Sequence, residues 1–448
     1  MTAGHFWCDF ALVDGEVVSD VAITVVDGRF DSITPNAPTH ADATHLNGFT
    51  IPGLANAHSH AFQRALRSRT QRGSGSFWTW RDLMYRAADR LDPELYLRLA
   101  RATFAEMVAS GITTVGEFHY LHHGPGGARY EVPNIMGDAV LAAADEAGLR
   151  ITLLDVLYLH GGLTDGRYLP LSEAQKRFGD GSVDVWADRV GRLTSNDRHR
   201  VGAAIHSVRA VDPVAMGECV VWASQQGASL HAHVSEQVAE NDECQAIHSM
   251  TPVALLESVG ALGPAFVAVH ATHVNGDDIG LLAESNSAVC LCPTTERDLG
   301  DGIVDSRQMV DAGVPIVLGS DSHAVIDLFD EAHAVEMDQR QRTRSRGVHP
   351  AGDLLAMATT AGHRSLGWND VGSLETGQRA DLVTVGLDSV RTAGVAAGGL
   401  VEATVFAAGA VDVSDVIVDG RHIVSEGQHR HIDVASELSI TISELMDR

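Results

Sequence analysis

Lysine is almost absent from this 448-residue sequence: Lys176 is the only one, and every other member of its 32 basic residues is an arginine. Acidic residues number 59, so the formal net charge is −27. Nucleic acids and anionic membranes are bound through contiguous basic patches. The composition therefore argues against both as partners and favours a small-molecule substrate.

Cysteines and long apolar runs are also scarce. The five cysteines are odd in number and lack C-x-x-C spacing, which is typical of reduced thiols in the cytosol. No apolar run reaches the roughly 18 residues that a membrane-spanning helix needs. The first residues contain neither the basic nor the apolar segment of a secretory signal. We expect a cytoplasmic protein.

From about residue 50 the sequence alternates short apolar runs with longer amphipathic stretches, which is the pattern of an α/β protein with a parallel sheet. Eight strands are predicted, and eight parallel strands close a TIM-like (β/α)8 barrel. They are Thr50 to His58, Ile112 to Phe118, Arg150 to Tyr158, Arg200 to His206, Ala228 to Val234, Ala265 to Ala271, Ala288 to Cys292 and Val314 to Asp321.

Helix start signals lie between these strands. Asp92-Pro93, Asp212-Pro213 and Thr251-Pro252 each combine an N-cap residue with proline at the first helical position. Gly111, Gly227 and Gly260 provide the matching stops. The polar stretch from Gly161 to Asn196 interrupts this rhythm and is predicted to be an elaborated loop over the barrel mouth.

The two ends of the chain differ from its middle. Both contain short alternating strands joined by Asp-Gly and Asn-Gly turns. We expect residues 1–49 and 372–448 to form one small β-sandwich domain, and residues 50–371 to form the catalytic barrel.

Ionisable residues follow four of the predicted strands. His58 and His60 are two apart on the first strand, so both imidazoles project to one side at its carboxyl end. His233 ends the fifth strand and Asp321 the eighth. Three imidazoles and one carboxylate form a donor set suited to zinc or another divalent metal with a position open for water.

Two further residues are predicted to move protons. Glu236 lies just beyond His233, where it can reach over the metal without binding it, and His270 ends the sixth strand. We expect Asp321 with His270 to take the proton of an activated water, and Glu236 to protonate the leaving nitrogen. His231, two residues before His233, is predicted to be structural.

These strand-end residues, followed by Gly372-Ser-Leu-Glu-Thr-Gly-Gln-Arg-Ala-Asp-Leu-Val383, resemble the amidohydrolase superfamily over nearly the whole chain. Four segments resemble, within it, the deiminases of histidine degradation that act on N-formimino-L-glutamate. They are Asn56-Ala-His-Ser-His-Ala-Phe-Gln-Arg64, Phe77-Trp-Thr-Trp-Arg-Asp-Leu-Met-Tyr85, Glu117-Phe-His-Tyr-Leu-His122 and His206-Ser-Val-Arg-Ala-Val211.

The resemblance implies hydrolysis of the formimino group to N-formyl-L-glutamate and ammonia. It assigns substrate binding to Gln63, Arg81, Tyr120, His206 and Arg209, which agrees with the preference of carboxylates for arginine and tyrosine donors. Nine arginines from Arg64 to Arg101 are interpreted partly as an attractive field for the anionic substrate and partly as helix-surface charge.

The resemblance also bears on the number of metal ions. Two-metal members of the superfamily bridge their ions with a carboxylated lysine on the fourth strand. That strand has no lysine here, so one metal ion is expected. A homodimer is expected from the same resemblance and from general frequencies of oligomers.

Two alternatives remain open at the level of sequence. A purine-type deaminase, acting on a guanine- or adenosine-like ring, would use the same metal and proton shuttle but an apolar base pocket. A catalytically silent metal-binding barrel is disfavoured because ligands, shuttle and anion-binding residues are all present together.

Overall fold

The computed structural model describes residues 3–71 and 77–448. Its first elements are four strands that belong to a sheet completed by the end of the chain. These strands are β1 (Ala3–Val13), β2 (Glu16–Val26), β3 (Arg29–Thr34) and β4 (Thr44–Pro52).

Ten strands follow, of which eight form the barrel and two form a separate hairpin. They are β5 (Leu54–Ser59), β6 (Ile112–His119), β7 (Arg150–Leu157), β8 (Gly162–Thr164), β9 (Arg167–Leu169), β10 (His199–Ser207), β11 (Leu230–Val234), β12 (Phe266–His270), β13 (Ala288–Leu291) and β14 (Ile316–Leu318).

The barrel strands are parallel and follow one another in chain order, with β8 and β9 left out as an antiparallel pair. A parallel bridge between Ser59 and Asp321 closes the ring from the last strand to the first. All eight predicted strands are present, so the TIM-like barrel is confirmed.

The last strands are β15 (Leu382–Val385), β16 (Val413–Val418), β17 (Arg421–Ser425) and β18 (Gln428–His429). They join β1 to β4 in one mixed sheet in the order β18-β17-β16-β15-β4-β1-β2-β3. A small apolar core on this sheet draws residues from both ends, among them Phe6, Val21, Leu374 and Ile417. The expectation that both termini build one β unit is thus confirmed, with a single hydrogen-bonded sheet.

The described residues also contain α-helices and short 3-10 helices. The α-helices are α1 (Phe77–Asp89), α2 (Pro93–Ala109), α3 (Ile135–Ala147), α4 (Val183–Val190), α5 (Pro213–Gln226), α6 (Val238–His248), α7 (Pro252–Ser258), α8 (Gly276–Glu284), α9 (Pro293–Leu299), α10 (Ser306–Ala312), α11 (Leu328–Thr343), α12 (Ala351–Ala358), α13 (Thr360–Ser365), α14 (Leu400–Phe406) and α15 (Val434–Asp447). The 3-10 helices are Ala61–Leu66, Pro125–Gly127, Gln175–Arg177, Ala397–Gly399 and Ala410–Asp412.

The three predicted proline-started helices are α2, α5 and α7. The Asp92 side chain accepts a hydrogen bond from the Leu95 amide, and Asp212 and Thr251 cap their helices in the same way. Within the described residues, no helix combines the length and the apolar character needed to cross a membrane.

The first predicted strand is in fact two. β4 ends at Pro52 in the terminal sheet, and β5 begins at Leu54 in the barrel. A side chain at Gly53 would place its Cβ 2.3 Å from Thr113 Oγ1 and 2.9 Å from Asp381 Cβ. Only glycine therefore fits where the chain passes between the two sheets.

The predicted loop from 161 to 196 contains the β8–β9 hairpin, the 3-10 helix Gln175–Arg177 and α4. Lys176 lies in the 3-10 helix, half exposed and paired with Glu173. The fourth barrel strand, β10, contains no lysine.

Two helices from the predicted C-terminal domain pack on the barrel: α15 contacts α2, and α14 contacts α11 and α12. Arg98 and Arg101 of α2 bind Glu444 and Glu437 of α15, at 2.6 Å in each case. The sheet and the barrel thus share a helical layer, and the domain limits at residues 49 and 372 stay a prediction.

Candidate active site

Four predicted metal ligands meet at the carboxyl ends of the barrel strands. His58 lies at the end of β5 and His60 directly after it, His233 lies in β11, and Asp321 follows β14. His58 Nε2 lies 3.1 Å from His233 Nε2 and 3.3 Å from Asp321 Oδ1, and His60 Nε2 lies 3.3 Å from the same oxygen. All four side chains are buried.

Backbone carbonyls set the orientation of two of these imidazoles. His60 Nδ1 donates to the Phe118 carbonyl at 3.0 Å, and His233 Nδ1 donates to the His206 carbonyl at 2.9 Å. Burial lowers the pKa of His60 to about 3 and the pKa of His233 well below its usual range, so both rings are neutral. Their Nε2 atoms therefore present lone pairs.

This arrangement fits a cation. Lone pairs of three side chains, those of His60, His233 and Asp321, face one another. Of the four converging atoms, His58 Nε2 is the only one that can carry a hydrogen. A divalent ion would be held by all four atoms, with the carbonyls fixing the rings from behind. These four residues also form one of the groups of the described chain whose geometry suits a metal ion.

Several residues at the ends of the site strands or just beyond them have a left-handed backbone. Ser235, His270 and Asp321 have φ values of 51°, 70° and 41°. Residues other than glycine adopt this conformation at a cost that the surrounding structure must offset. Here it turns the chain sharply at the strand ends, where the site side chains point inward.

His270 and Glu236, the predicted proton shuttles, lie beside the metal ligands. His270 Nε2 is 3.9 Å from Asp321 Oδ2 and 3.9 Å from Glu236 Oε1. Burial alone would lower the pKa of His270, but the hydrogen bond with Glu296 and the charges of Glu236 and Asp321 raise it to about 10.

Glu296 was not found by sequence reasoning. Its Oε1 accepts hydrogen bonds from His270 Nδ1 at 3.4 Å and from the Cys292 amide at 3.0 Å. The available signal was the run of Thr294, Thr295 and Glu296 just after the seventh strand, a strand end for which no polar residue was assigned.

One cavity of about 330 Å³ contains the site. All five predicted substrate-binding residues line it, together with metal ligands, Glu236 and His270: Gln63, Arg81, Tyr120, His206 and Arg209. Apolar and aromatic side chains complete the wall: Trp80, Met84, Tyr85, Tyr158, Leu163, Leu169, Phe178 and Leu299. His231 lies elsewhere, with Nε2 3.4 Å from the Ser365 carbonyl, in keeping with a structural role.

Two polar groups in the wall have defined partners. Gln63 Nε2 donates to Tyr120 Oη at 2.9 Å, while Gln63 Oε1 is buried and has no hydrogen-bond partner among the described residues. Arg209 Nη2 donates to Glu236 Oε2 at 3.1 Å, and Arg209 Nε lies 3.2 Å from Glu240 Oε2. Glu240, a buried residue of α6, was also missed from the sequence.

The predicted arginine cluster mostly serves the fold. Arg64 and Arg67 bind Glu106, while Arg90, Arg98 and Arg101 bind atoms of α15. Of its described members, Arg81 alone lines the cavity. Arg72, also in the cluster, lies outside the described residues.

Comparison with known proteins agrees with this geometry. The model of the amidohydrolase family matches residues 49–423. The chain belongs to the amidohydrolase family. This amidohydrolase is similar to formimidoylglutamate deiminase of Pseudomonas aeruginosa, with 36% identity over 436 residues and 94% of each chain covered.

Two further proteins resemble this amidohydrolase. A 5-methylthioadenosine/S-adenosylhomocysteine deaminase of Moorella thermoacetica is 29% identical over 455 residues, with 98% of each chain covered. The crystal structure of an amidohydrolase from Brucella melitensis superposes with a TM-score of 0.91 at 30% identity, over 99% of this chain and 100% of that one. The chain is thus a hydrolase that acts on carbon–nitrogen bonds.

Proposed function

We propose that this amidohydrolase hydrolyses N-formimino-L-glutamate to N-formyl-L-glutamate and ammonia, a step of histidine degradation. The observation that supports this most is that Arg81 and Arg209 line the same cavity as the convergent histidine and aspartate donors. A substrate with two carboxylates needs such guanidinium groups, whose planar fork binds carboxylate through two hydrogen bonds. The named activity of the Pseudomonas aeruginosa relative is the same.

One divalent metal ion, zinc, would be held by His58, His60, His233 and Asp321. Neutral imidazole and carboxylate ligands suit zinc, and no lysine is near enough in the barrel to bridge two ions. When bound, the ion supplies a polarised water molecule of lowered pKa. This chain's own residues then carry the protons.

Asp321 is placed to take the proton from the attacking water, which the protonated His270 beside it would orient. Asp321 uses Oδ1 towards the histidine donors and keeps Oδ2 towards His270. The water oxygen bonds to the formimino carbon of HN=CH–NH–R. Both protons of the water end on the terminal nitrogen, with Glu236 as the group that hands them over: the first comes from the attacking water and the second from the hydroxyl of the tetrahedral carbon. The carbon–nitrogen bond then breaks, ammonia leaves and the carbon becomes the formyl group.

We assign the other polar side chains of the cavity wall to binding the glutamyl part and the formimino group of the substrate. Arg81 and Arg209 are proposed to bind carboxylates, with Tyr120 and His206 as further polar contacts. Gln63 Oε1 is proposed to accept a hydrogen bond from a substrate N–H, since this buried oxygen has no acceptor role elsewhere in the described structure. A homodimer is proposed from the family resemblance and is testable by sedimentation.

A purine-type deaminase is the second candidate. Trp80, Met84 and Phe178 give part of the cavity wall the apolar character that would suit a base. The Moorella thermoacetica relative is named for two adenosine-containing compounds.

The decisive experiment is ammonia release by the zinc-loaded protein from N-formimino-L-glutamate, S-adenosylhomocysteine, adenosine and guanine. We expect ammonia release from N-formimino-L-glutamate, with a kcat/KM at least about 100-fold higher than that for any of the purine compounds. Release from a purine compound alone would establish the second candidate. A protein that binds zinc and releases ammonia from none of the four would contradict both and indicate a silent barrel.

A further inference from the structure

The seam between the last and first barrel strands is held by few backbone hydrogen bonds. β14 ends at Leu318, so Asp321 lies three residues beyond it, with a left-handed φ of 41°. Asp321 N donates to the His58 carbonyl at 3.0 Å, and His60 N donates to the Asp321 carbonyl at 3.2 Å. These two bonds alone do not account for a residue held in an unfavourable conformation.

A continuous chain of five side chains crosses this seam beneath the donor cluster. Its members, none of which is exposed, are Asn56, Ser320, His323, Ser59 and Glu117. The successive distances are 2.7 Å from Asn56 Nδ2 to Ser320 Oγ, 3.0 Å to His323 Nδ1, 3.2 Å from His323 Nε2 to Ser59 Oγ, and 2.5 Å to Glu117 Oε2. We call this set the seam chain.

The directions of the hydrogen bonds in the seam chain follow from its two ends, with Asn56 as the first donor and the Glu117 carboxylate as the last acceptor. Asn56 Oδ1 accepts from the Ser320 amide at 2.9 Å, so Asn56 Nδ2 is the donor to Ser320 Oγ. Ser320 then donates to His323 Nδ1, which leaves the hydrogen of a neutral ring on Nε2. His323 donates to Ser59, and Ser59 donates to Glu117.

With the Glu117 carboxylate ionised, each member has one compatible arrangement. Glu117 ends the chain as an acceptor, and its second oxygen accepts from the Ala61 amide at 2.7 Å. A network in which all buried partners are satisfied in one direction is rigid, because changing one bond leaves another buried group without a partner. Alternative positions of the seam are thereby disfavoured.

The seam chain touches the donor cluster through covalent neighbours. Ser59 lies between His58 and His60, and Ser320 directly precedes Asp321. We propose that Ser59, Ser320 and His323, anchored by Asn56 and Glu117, are positioning residues that hold the Asp321 carboxylate against His58 and His60 across the barrel seam. The inference rests on the proposed metal site.

The experiment measures zinc affinity by competition with a chromophoric chelator. Ser59→Ala removes one hydroxyl, and His323→Asn keeps an acceptor for Ser320 while breaking the bond to Ser59. Asparagine also tolerates the left-handed backbone of residue 323, whose φ is 59°. Each variant is expected to weaken zinc binding by about 10- to 100-fold, the usual effect of losing groups that orient metal ligands.

The double variant Ser59→Ala/His323→Asn tests whether the residues act as one unit. If the residues act as one hydrogen-bonded chain, the double variant should lose no more zinc affinity than either single variant. If the two substitutions act independently through packing, their losses of affinity should multiply. Ser287→Ala is the matched control, because it removes a fully buried serine hydroxyl that binds Gly263 N at the opposite end of β13. It is expected to bind zinc like the wild type.

Folding is checked by thermal unfolding of the metal-free proteins, where Ser59→Ala and Ser287→Ala should lose similar stability. If Ser59→Ala bound zinc like the wild type while Asp321→Ala lost it, the seam-chain inference would be wrong, but the proposed metal site would stand. Multiplicative losses in the double variant would overturn the inference as well. A wild type that binds no zinc would instead refute the proposed metal site on which it rests.

Discussion

Glu236 is held at the edge of the donor cluster by contacts on both of its oxygens. Arg209 donates to Oε2 at 3.1 Å, and His270 Nε2 lies 3.9 Å from Oε1. The carboxylate is buried but does not join the four convergent ligand atoms. It can therefore exchange a proton with a substrate nitrogen without altering the metal ligands.

Glu236→Gln should separate proton transfer from metal binding. The amide oxygen can still accept from Arg209, but the side chain can no longer donate an acidic proton to the leaving nitrogen. We expect kcat to fall by about 10²- to 10⁴-fold, with zinc content by elemental analysis unchanged. Near-normal turnover would contradict the assigned role.

The residues that sequence could reveal are those at strand ends with distinctive chemistry. His58, His60, His233, His270 and Asp321 were predicted because strands and their carboxyl ends are recognisable from apolar runs. Glu296 and Glu240 were missed because each lies on a helix that follows a strand, where acidic residues are common. Only the tertiary packing that brings them to His270 and Arg209 distinguishes them.

Among the elements, the β8–β9 hairpin forms one wall of the cavity. Gly162, Leu163, Thr164 and Leu169 line it. The hairpin is fastened to α6: Thr164 Oγ1 donates to Glu243 at 3.0 Å, and Tyr168 Oη contacts His248 Nε2 at 3.1 Å. This wall of the cavity thus depends on side-chain bonds at the surface.

Tyr168→Phe should loosen this wall selectively. Losing the hydroxyl removes its bonds to His248 and the Val208 carbonyl, worth about 1 kcal/mol net, or roughly fivefold in a local opening equilibrium. We expect faster hydrogen exchange in residues 162–169 and a KM raised severalfold, with kcat little changed. Tyr130→Phe, whose ring lies outside this cavity, is the control; equal effects in both variants would refute the prediction.

Element boundaries could be predicted where the sequence changes from apolar to polar residues, but not where two neighbouring elements have the same composition. The eight barrel strands stand out because each is an apolar run ended by polar residues. β4 and β5 are adjacent in sequence and similar in character, so nothing local marks the passage between two sheets at Gly53. The pairing of β4 with β15 depends on contacts across more than 300 residues.

At the scale of the whole molecule, stability depends on buried charge as well as on the apolar core. Arg189 of α4 donates to both Asp155 and Asp180, at 2.8 Å in each case. Burial alone would raise the pKa of both carboxyls, but Arg189 and neighbouring histidines hold them below their usual range. Both therefore stay ionised in the folded protein at pH values where the unfolded chain takes up protons.

The free energy of unfolding should consequently fall below about pH 4. Each depressed carboxyl contributes up to about 1.4 kcal/mol per pH unit between its unfolded and folded pKa. Asp155→Asn should lose about 3–5 kcal/mol at pH 7 and a smaller amount at pH 3, measured by urea denaturation. Asp188→Asn, an exposed change on the same helix as Arg189, should show neither effect. A pH-independent loss in Asp155→Asn would contradict the linkage.

The position of Lys176 gives the molecule a practical property. Its side-chain amine is the only one in the sequence, and it lies at the surface beside Gln175, whose amide donates to Gly161 O at the base of the hairpin. A reagent that prefers the lysine side chain to the α-amine would therefore attach a fluorophore next to the cavity wall without any engineered cysteine.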